Sequence, residues 1–395
     1  RLVNTYHSFN NSTPVLLSSL SYDATGRLKS KSLNDEKIPI TYSYNIRNWL
    51  TDIQSHTFYQ TLYYNASLSG GVPCYNGNIS AAQWGYSSGD NRISKYTYDS
   101  LDRLIRSSYT EPRISDTTSV DKRPNFSEEF IYDKHGNVTG ITNYGIIGEH
   151  FHLSTRGIGI IELRDYSYGI VNQLNLSYSG NQLKKVTNDI SLNSLPKGTF
   201  YFTDEADKEN EYSYDRNGNT TSDLNKKITS ISYTNKNLPH KIELSSGESH
   251  TYRYDASGRK LRLTHAYTEI PIFHPVFNGI SRLDTLKPIQ TKVLDETDYC
   301  GNIIYENGKL SKILTDEGFV SFVNNTPIYY FYIKDHQGNN RLLTKSNVFY
   351  TKNYDYYGFG GIHNNNGESQ DASSIGPIKP TATISQNYLF GGKEI

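Results

Sequence analysis

Two histidines that could share a metal ion stand beside a glutamate in the segment Glu149-His150-Phe151-His152. In a strand, the side chains of His150 and His152 would point to the same face, as two zinc ligands must. A zinc site needs a third placed ligand, and the sequence indicates none. We therefore expect surface or packing histidines here, and no bound metal or cofactor.

Other residue types that could do chemistry also lack partners. His336 has the chemistry of a general base, but no nucleophile is placed beside it. The glycines of residues 358–361 follow no strand–helix pattern, so a phosphate-binding loop is not expected. The aspartates recur at a regular spacing without the dense ligand loop of calcium motifs, which indicates turns rather than an acid/base pair. We predict no catalytic site, and a protein that is not an enzyme.

The aspartates belong to a repeated sequence motif: an aromatic residue, any residue, Tyr, Asp, then a turn that ends in Gly or a polar substitute. The clear copies are SYDATGRLKS (21–30), YTYDSLDRLI (96–105), FIYDKHGNVT (130–139), YSYDRNGNT (212–220), YRYDASGRKL (252–261) and, with Lys inserted, FYIKDHQGNNRLL (331–343). Degenerate copies of the motif lie at 42–50, 177–186 and 231–244, and the repeat period is about 20 residues. Repetition of this kind predicts a repeat architecture.

Each copy is typical of a β-hairpin. Tyr212 and Tyr214 would share one strand face, and Asp215 would begin a four-residue turn in which Gly218 tolerates positive φ. Arg259 is placed to pair with Asp255, an exposed pair worth about 0–1 kcal/mol that would fix register. The predicted turn residues are Asp23, Gly26, Asp99, Asp133, Gly136, Asp215, Gly218, Asp255, Gly258, Asp335 and Gly338.

The repeat tyrosines have two interpretations. They could form cross-strand aromatic ladders, each pair contributing about 0.2–1 kcal/mol, or a surface on which carbohydrate stacks. We favour the structural interpretation. The residues concerned are Tyr22, Tyr96, Tyr98, Tyr132, Tyr212, Tyr214, Tyr252, Tyr254 and Tyr332.

The composition agrees with an all-β fold. The chain has 34 Tyr and 30 Gly but only 13 Pro, and its hydrophobic content of 35% predicts sheets with large wetted faces. The 40 basic and 40 acidic residues balance without a basic stripe, which argues against nucleic-acid binding. No apolar run approaches the roughly 20 residues of a membrane helix. Cys74 and Cys300 share no motif and are expected to be unpaired thiols.

The repeats divide the chain into three predicted parts. Residues 1–95 carry degenerate repeats, residues 96–345 the clearest ones, and residues 346–395 a different terminal region. A polar stretch at 109–128 is predicted to be a loop or an elongated hairpin tip. A Gly/Asn/Ser-rich stretch at 358–386 is a predicted surface loop, and strand character resumes at 387–395. Residues 204–210 are the one stretch that would allow a short helix. The Arg at position 1 and the absence of Met indicate a piece of a longer protein.

The repeats resemble the YD repeats of the RHS (rearrangement hotspot) family, in broken copies from about residue 20 to residue 395. Three segments in order are similar to the opening of the RHS-repeat-associated core in its Bacteroidetes form: FYIKDHQGNNRLL (331–343), NYDYYGFGG (353–361) and NYLFGGKEI (387–395). YSYNIRNWL (42–50) and YNGNISAAQW (75–84) also look like that lineage.

The resemblance implies a fold and a role. Such proteins wind their hairpins into a hollow β-shell, which in bacterial members encloses a variable C-terminal toxin domain. The RHS-repeat-associated core caps the shell, and in many members aspartates downstream of the GKE-type strand release the toxin by autoproteolysis. Asp335 and Asp355 lie before that strand and are not assigned this role. The resemblance therefore implies a bacterial scaffold, secreted or at the cell surface, whose partner is the toxin domain of the full-length protein.

The alternative left open is a cell-surface adhesin or carbohydrate-binding repeat protein. For the shell, roughly 20 hairpins at about 4.8 Å per strand give a strip of about 190 Å. A strip of that length makes about one turn around a chamber. We therefore expect an open spiral wall with exposed edges, which would be prone to self-pairing.

Overall fold

The computed structural model describes residues 1–66, 68, 71–86, 91–111, 125–156, 159–192, 194–196, 199–268, 291–346 and 348–363. All regular secondary structure in these ranges is β-strand. The strands form two 13-stranded sheets in which every neighbour along the chain is also the neighbour in the sheet. The all-β fold of antiparallel hairpins wound into a spiral strip, predicted from the repeats, is confirmed.

The first sheet contains β1 (Asn4–His7), β2 (Val15–Tyr22), β3 (Leu28–Leu33), β4 (Ile38–Tyr44), β5 (Leu50–Ser55), β6 (Tyr59–Tyr63), β7 (Ala81–Gly85), β8 (Arg92–Tyr98), β9 (Leu104–Thr110), β10 (Glu128–Tyr132), β11 (Val138–Arg156), β12 (Gly159–Ser179) and β13 (Gln182–Asn188). The second contains β14 (Tyr212–Tyr214), β15 (Thr220–Asp223), β16 (Ile228–Tyr233), β17 (Pro239–Leu244), β18 (Glu248–Tyr254), β19 (Lys260–Thr268), β20 (Thr291–Cys300), β21 (Ile303–Glu306), β22 (Lys309–Thr315), β23 (Gly318–Val323), β24 (Thr326–Lys334), β25 (Asn340–Lys345) and β26 (Val348–Asn353).

Each copy of the repeat motif forms a β-hairpin with a β-bulge beside its turn. In β18 and β19, Arg253 lies opposite Arg262, whereas the next residue, Tyr254, lies opposite Lys260. The extra residue on the return strand increases the local twist, as bulges do. The same shift follows Ser21, Thr97, Ile131 and Ser213 in the other hairpins. The repeat therefore fixes register as well as turn position.

The two sheets continue one another along the chain. The backbone N–H of Glu211, just before β14, donates to the carbonyl of Lys184 in β13 at 2.8 Å. The Glu211 side chain returns a contact, since its Oε2 accepts from the backbone N–H of Val186 at 2.9 Å. The strip thus runs from the first sheet into the second through a hydrogen-bonded step.

The two ends of the strip also pack against each other as two layers. Leu33 and Ile53 of the first sheet, with Phe58 just before β6, share one buried cluster with Phe331 and Ile333 of β24. Fully burying each such side chain stabilises the fold by about 1.5–3 kcal/mol. This core lies between the two layers. The outer faces are exposed to solvent, so a low overall hydrophobic content is enough to form the core.

Polar contacts cross between the same layers. The Nζ of Lys31 lies 2.7 Å from a carboxylate oxygen of Glu317, and a ring nitrogen of His7 lies 3.0 Å from the hydroxyl of Tyr329. The expected single open wall is therefore incorrect for this part of the chain. Curvature of the strip brings its beginning over its end, and burial of the shared apolar cluster favours that closure.

Several smaller expectations can be compared with the structure. No helix forms at residues 204–210, where the backbone has no regular structure. No helix in the described ranges is long and apolar enough to cross a membrane. Cys74 and Cys300 are free thiols, as predicted. Most of the predicted loop at 358–386 and the predicted strand at 387–395 lie outside the described residues.

Candidate functional site

The aspartate of the repeat organises the turn that follows it. In the hairpin of β18 and β19, the Oδ1 of Asp255 accepts from the backbone N–H groups of Ser257 at 2.8 Å and of Arg259 at 2.9 Å. The Oδ2 accepts from the Nε of Arg259 at 2.7 Å, which confirms the predicted pairing. Gly258 closes the turn at φ +91°, a conformation that favours glycine.

The other clear copies use the same geometry. The Oδ1 of Asp23, Asp99, Asp133, Asp215 and Asp335 each accepts from the backbone N–H four residues later, at 2.9–3.0 Å. Gly26, Gly136, Gly218 and Gly338 have positive φ, and Asp102 takes the same conformation in the copy that lacks glycine. All the predicted turn residues thus lie in hairpin turns.

An asparagine can replace the arginine at the last position of the turn. The side-chain amide of Asn137 donates to Oδ2 of Asp133 at 2.8 Å, and Asn219 donates to Asp215 at 2.9 Å. These side-chain bonds are the first cause of the lowered pKa of Asp133 and of Asp215. Sequence reasoning noticed only the arginines, although the Asn residues stand at the same spacing.

The degenerate copies of the motif form the same turn with other side-chain hydrogen-bond acceptors in place of Asp. Asn45 takes the place of Asp, and its Oδ1 accepts from the backbone N–H of Trp49 at 3.0 Å. Thr234 does the same through its hydroxyl, which accepts from Leu238 at 3.2 Å. Short polar side chains that bond their own backbone are interchangeable here.

The repeat tyrosines join each hairpin to the one before it. The hydroxyl of Tyr254 donates to the carbonyl of Pro239 at 2.9 Å, and that of Tyr132 donates to Leu104 at 2.7 Å. The accepting residue is in each case the first of the preceding return strand. Tyr44, Tyr178 and Tyr356 make the same bond, and Tyr214 donates to Leu183, the second residue of its preceding strand.

Arginine from one turn also covers the tyrosine of the next hairpin. The guanidinium of Arg103 lies 4.7 Å from the ring centre of Tyr132, and that of Arg27 lies 4.7 Å from the ring of Tyr44. Ring-to-ring contact is less regular, with Tyr252 and Tyr254 at 6.5 Å in the same strand. Neighbouring hairpins are therefore linked by hydroxyl and cation–π contacts in addition to the backbone ladder.

Of the tyrosines singled out in the sequence, Tyr332 is buried and the others are half-buried. The predicted sugar-stacking role would require an accessible ring face, and none of these rings is fully exposed. That role stays a prediction.

The pair of histidines considered as a metal site, His150 and His152, lies only partly within the described residues. Among the described residues, no group of three or more His, Cys, Asp or Glu side chains could hold a metal ion. His150 is exposed in β11, opposite Asp165, and the side chain of His152 lies outside the described part. His336 donates its backbone N–H to the Oε1 of Gln60 at 3.0 Å, and burial lowers the pKa of its ring.

A buried charged junction joins the two layers. The carboxylate of Asp355 accepts from the indole N–H of Trp84 at 2.7 Å, from the hydroxyl of Tyr86 at 2.8 Å and from Arg341 at 3.1 Å. Its second oxygen lies 3.3 Å from the Nε of Arg92. We call this group, together with Asp335, the junction.

Opposite charges keep the junction ionised. Arg341 also contacts Asp335 at 2.9 Å, so one buried guanidinium joins two buried carboxylates. Burial alone would raise the pKa of Asp355, but the guanidinium groups of Arg92 and Arg341 hold it below its ordinary value. Removing any one of these charges would leave one buried charge of the opposite sign without a counter-charge.

A cavity of about 130 Å³ lies beside the junction. Its lining includes Arg341, Glu128, Gln60, His336 and His363 together with several aromatic rings. Part of this site lies in the repeat copy at 331–343, which supplies His336 and Arg341. Gln60, Glu128 and His363 lie outside the clear copies, so spacing alone did not identify them. Trp84, one of 2 tryptophans in the chain, closes the segment YNGNISAAQW.

Two groups in the cavity have strongly shifted pKa values. Burial raises the pKa of Glu128 to about 7, against which hydrogen bonds from Gly358 and Asn143 act. Burial also lowers the pKa of His363 to about 3, so its imidazole is neutral at physiological pH. Perturbed groups in a cavity are typical of functional sites, although buried structural networks shift pKa values as well.

Comparison with known proteins gives a fold and no sequence family. No family model matches the chain, and no curated protein matches it. Solved structures of TcdB2-TccC3-TEV and of TcdB2-TccC3 match with TM-scores of 0.58 and 0.54, each at 15% identity and over 92% of this chain.

The Tc holotoxin pore of Photorhabdus luminescens matches with a TM-score of 0.55 at 15% identity, over 92% of this chain and 16% of that one. The chain spans 16% and 17% of the two TcdB2-TccC3 structures. At this identity the likeness concerns the fold alone. The chain therefore has the hairpin-strip fold found in part of these toxin-complex structures.

Proposed function

We propose that this chain is a non-enzymatic section of an RHS-type β-shell that encloses and delivers a C-terminal toxin domain of the full-length protein. The observation that carries the proposal is the continuous strip of hairpins, whose fold matches TcdB2-TccC3 over 92% of the chain. A scaffold of this kind acts by excluding volume and shielding its cargo, so it requires no catalytic residues of its own.

The links between hairpins support a wall that keeps its shape. Each tyrosine hydroxyl bond joins two successive hairpins, and the aspartate turns hold one edge of the strip in a fixed geometry. Hydrogen bonds of this type contribute about 0.5–1.5 kcal/mol each, and they repeat along the strip. The proposed cellular setting is secretion from, or display on, a bacterial cell.

Protease protection tests the proposal in the full-length protein. The segment encoded after Ile395 is sequenced first, and the domain found there is expressed with and without the shell. We expect the C-terminal domain to resist digestion in the full-length protein and to be cleaved readily alone. Equal digestion of both forms would contradict encapsulation, as would a stop codon directly after Ile395.

The alternative is carbohydrate binding by a surface repeat protein. It would depend on tyrosine rings whose hydroxyls, in Tyr132, Tyr214 and Tyr254, already donate to backbone carbonyls. No contact in the described residues favours a sugar, so we keep the shell as the proposed function.

A further inference from the structure

We propose that the cavity beside the junction binds a small protonated amine that carries a hydroxyl group, with the ammonium at Glu128 and the hydroxyl at Gln60. This inference concerns a ligand site inside the wall, and it is independent of whether the wall encloses a toxin.

Glu128 is a buried carboxylate whose polar contacts come from neutral groups. Its Oε1 accepts from the side-chain amide of Asn143 at 2.9 Å, and its Oε2 accepts from the backbone N–H of Gly358. A buried carboxylate is stabilised in its charged form by an opposite charge within about 4–6 Å. Among the described residues, none of these hydrogen-bond donors is a cation. Glu128 therefore offers an unmatched negative charge to a ligand.

The cation already present in the lining is matched elsewhere. Arg341 contacts Asp335 at 2.9 Å and Asp355 at 3.1 Å, so its charge is balanced by the junction. His336 and His363 also face the cavity, and burial keeps both rings neutral by lowering their pKa values. With Glu128 ionised, the surroundings of the cavity are negative, which favours a cation over an anion.

His363 supplies a second acceptor for the ammonium. Its side chain is buried at 2% exposure, and neither ring nitrogen has a hydrogen-bond partner among the described residues. The ring stacks on Phe126 with centroids 4.1 Å apart, which fixes its orientation. A neutral imidazole has one acceptor nitrogen, and a primary ammonium has three donors to share between His363 and Glu128.

Gln60 supplies a donor for the hydroxyl. Its Oε1 is occupied by the backbone N–H of His336, which fixes the orientation of the amide, whereas its buried Nε2 has no partner in the described part of the chain. An unpartnered buried amide costs about 1–3 kcal/mol. A ligand hydroxyl oxygen would accept this bond, which a simple alkylammonium cannot do.

The size and the walls of the cavity fit such a ligand. A dry engineered cavity of roughly 150 Å³ binds benzene, so about 130 Å³ holds a molecule of a few heavy atoms and excludes a peptide. Tyr96, Tyr98, Phe126 and Tyr357 line it. Aromatic faces attract a desolvated cation by about 2 kcal/mol.

Calorimetric titration of the 395-residue chain with ethanolamine at pH 8 tests the proposal. We expect saturable binding, at least about tenfold weaker binding to the variant E128Q, and unchanged binding to E129Q, whose half-exposed side chain lies on the other face of the same strand. Ethylamine, which lacks the hydroxyl, should bind several-fold more weakly than ethanolamine. Ethylene glycol and acetate should not bind.

A pH series on the unchanged chain gives a second measurement that does not depend on a variant that folds. Ethanolamine stays protonated between pH 5 and pH 8, whereas Glu128 takes up a proton, so affinity should fall about tenfold or more toward pH 5. Affinity that is independent of pH, or equal binding of ethanolamine and acetate, would overturn the proposal. Full binding to a folded E128Q variant would do the same.

Discussion

The indole N–H of Trp84 donates to the carboxylate of Asp355 at 2.7 Å, although the two residues are 271 positions apart. Trp84 lies in β7 of the first sheet, and Asp355 follows β26 of the second. This hydrogen bond therefore holds the beginning of the hairpin strip against its end, inside a network that also contains Arg92 and Arg341.

Removal of the Asp355 charge should open this contact. We expect Asp355→Asn to lower the free energy of unfolding by about 3–5 kcal/mol, because Arg92 and Arg341 would lose a buried counter-charge. Urea titration followed by tyrosine and tryptophan fluorescence measures the change. The control is Asp207→Asn, where the carboxylate is exposed and its ion pair with Lys185 should contribute much less to stability. Equal effects of the two variants would show that the junction does not hold the layers.

Glu128 should make the protein less stable as pH rises. Its folded-state pKa of about 7 lies above its ordinary value of 4.5, so the folded state binds the proton more tightly than the unfolded state. The contribution of the protonated Glu128 to the free energy of unfolding is present in full below pH 4.5. It is lost as the pH rises through 7, by about 3 kcal/mol in total.

The variant Glu128→Gln should remove most of this pH dependence. Unfolding measured at pH 5 and pH 8, without added amine, gives the comparison, and Glu129→Gln, at the half-exposed neighbouring residue, serves as the control. A pH dependence between pH 5 and pH 8 that survives in Glu128→Gln would assign it to another group.

The turn glycines should tolerate asparagine better than alanine. Gly136 has φ +90°, and a Cβ added there would meet no atom within 4 Å, so the cost is conformational alone. We expect Gly136→Ala to destabilise by about 1–2 kcal/mol and Gly136→Asn by less, since Asn adopts positive φ more readily. Thermal unfolding of the pair measures the difference. Equal melting temperatures would mean that the turn relaxes to another conformation.

The hydroxyl group of Tyr254 should stabilise the fold separately from its aromatic ring. Tyr254→Phe removes the bond to Pro239 and should cost about 0.5–1.5 kcal/mol, while Tyr75→Phe, at an exposed ring, should cost less. Alanine variants test the carbohydrate alternative on a glycan array, because they remove the ring as well as the hydroxyl. If Tyr214→Ala and Tyr254→Ala abolish glycan binding by folded protein, these rings are a sugar surface.

The local part of the fold was predictable because its interactions are local. The aspartate of Asp255-Ala-Ser-Gly258 bonds backbone groups within four residues, so spacing alone identifies the turn. The role of the tyrosine hydroxyl was missed, since the position of the accepting carbonyl of Pro239 depends on how two hairpins stack. The short helix considered at residues 204–210 does not form, because polar composition alone carries no helical period.

The sequence by itself determined the repeated hairpins and their turns, because each depends on residue type at fixed spacing. Only the tertiary structure decided that Trp84 meets Asp355 and that Glu128, His363 and Gln60 face one cavity. Gln60, Trp84 and Glu128 belong to the first sheet, whereas Asp355 and His363 follow the last strand of the second. The accumulated twist and curvature of many strands decide which of them meet.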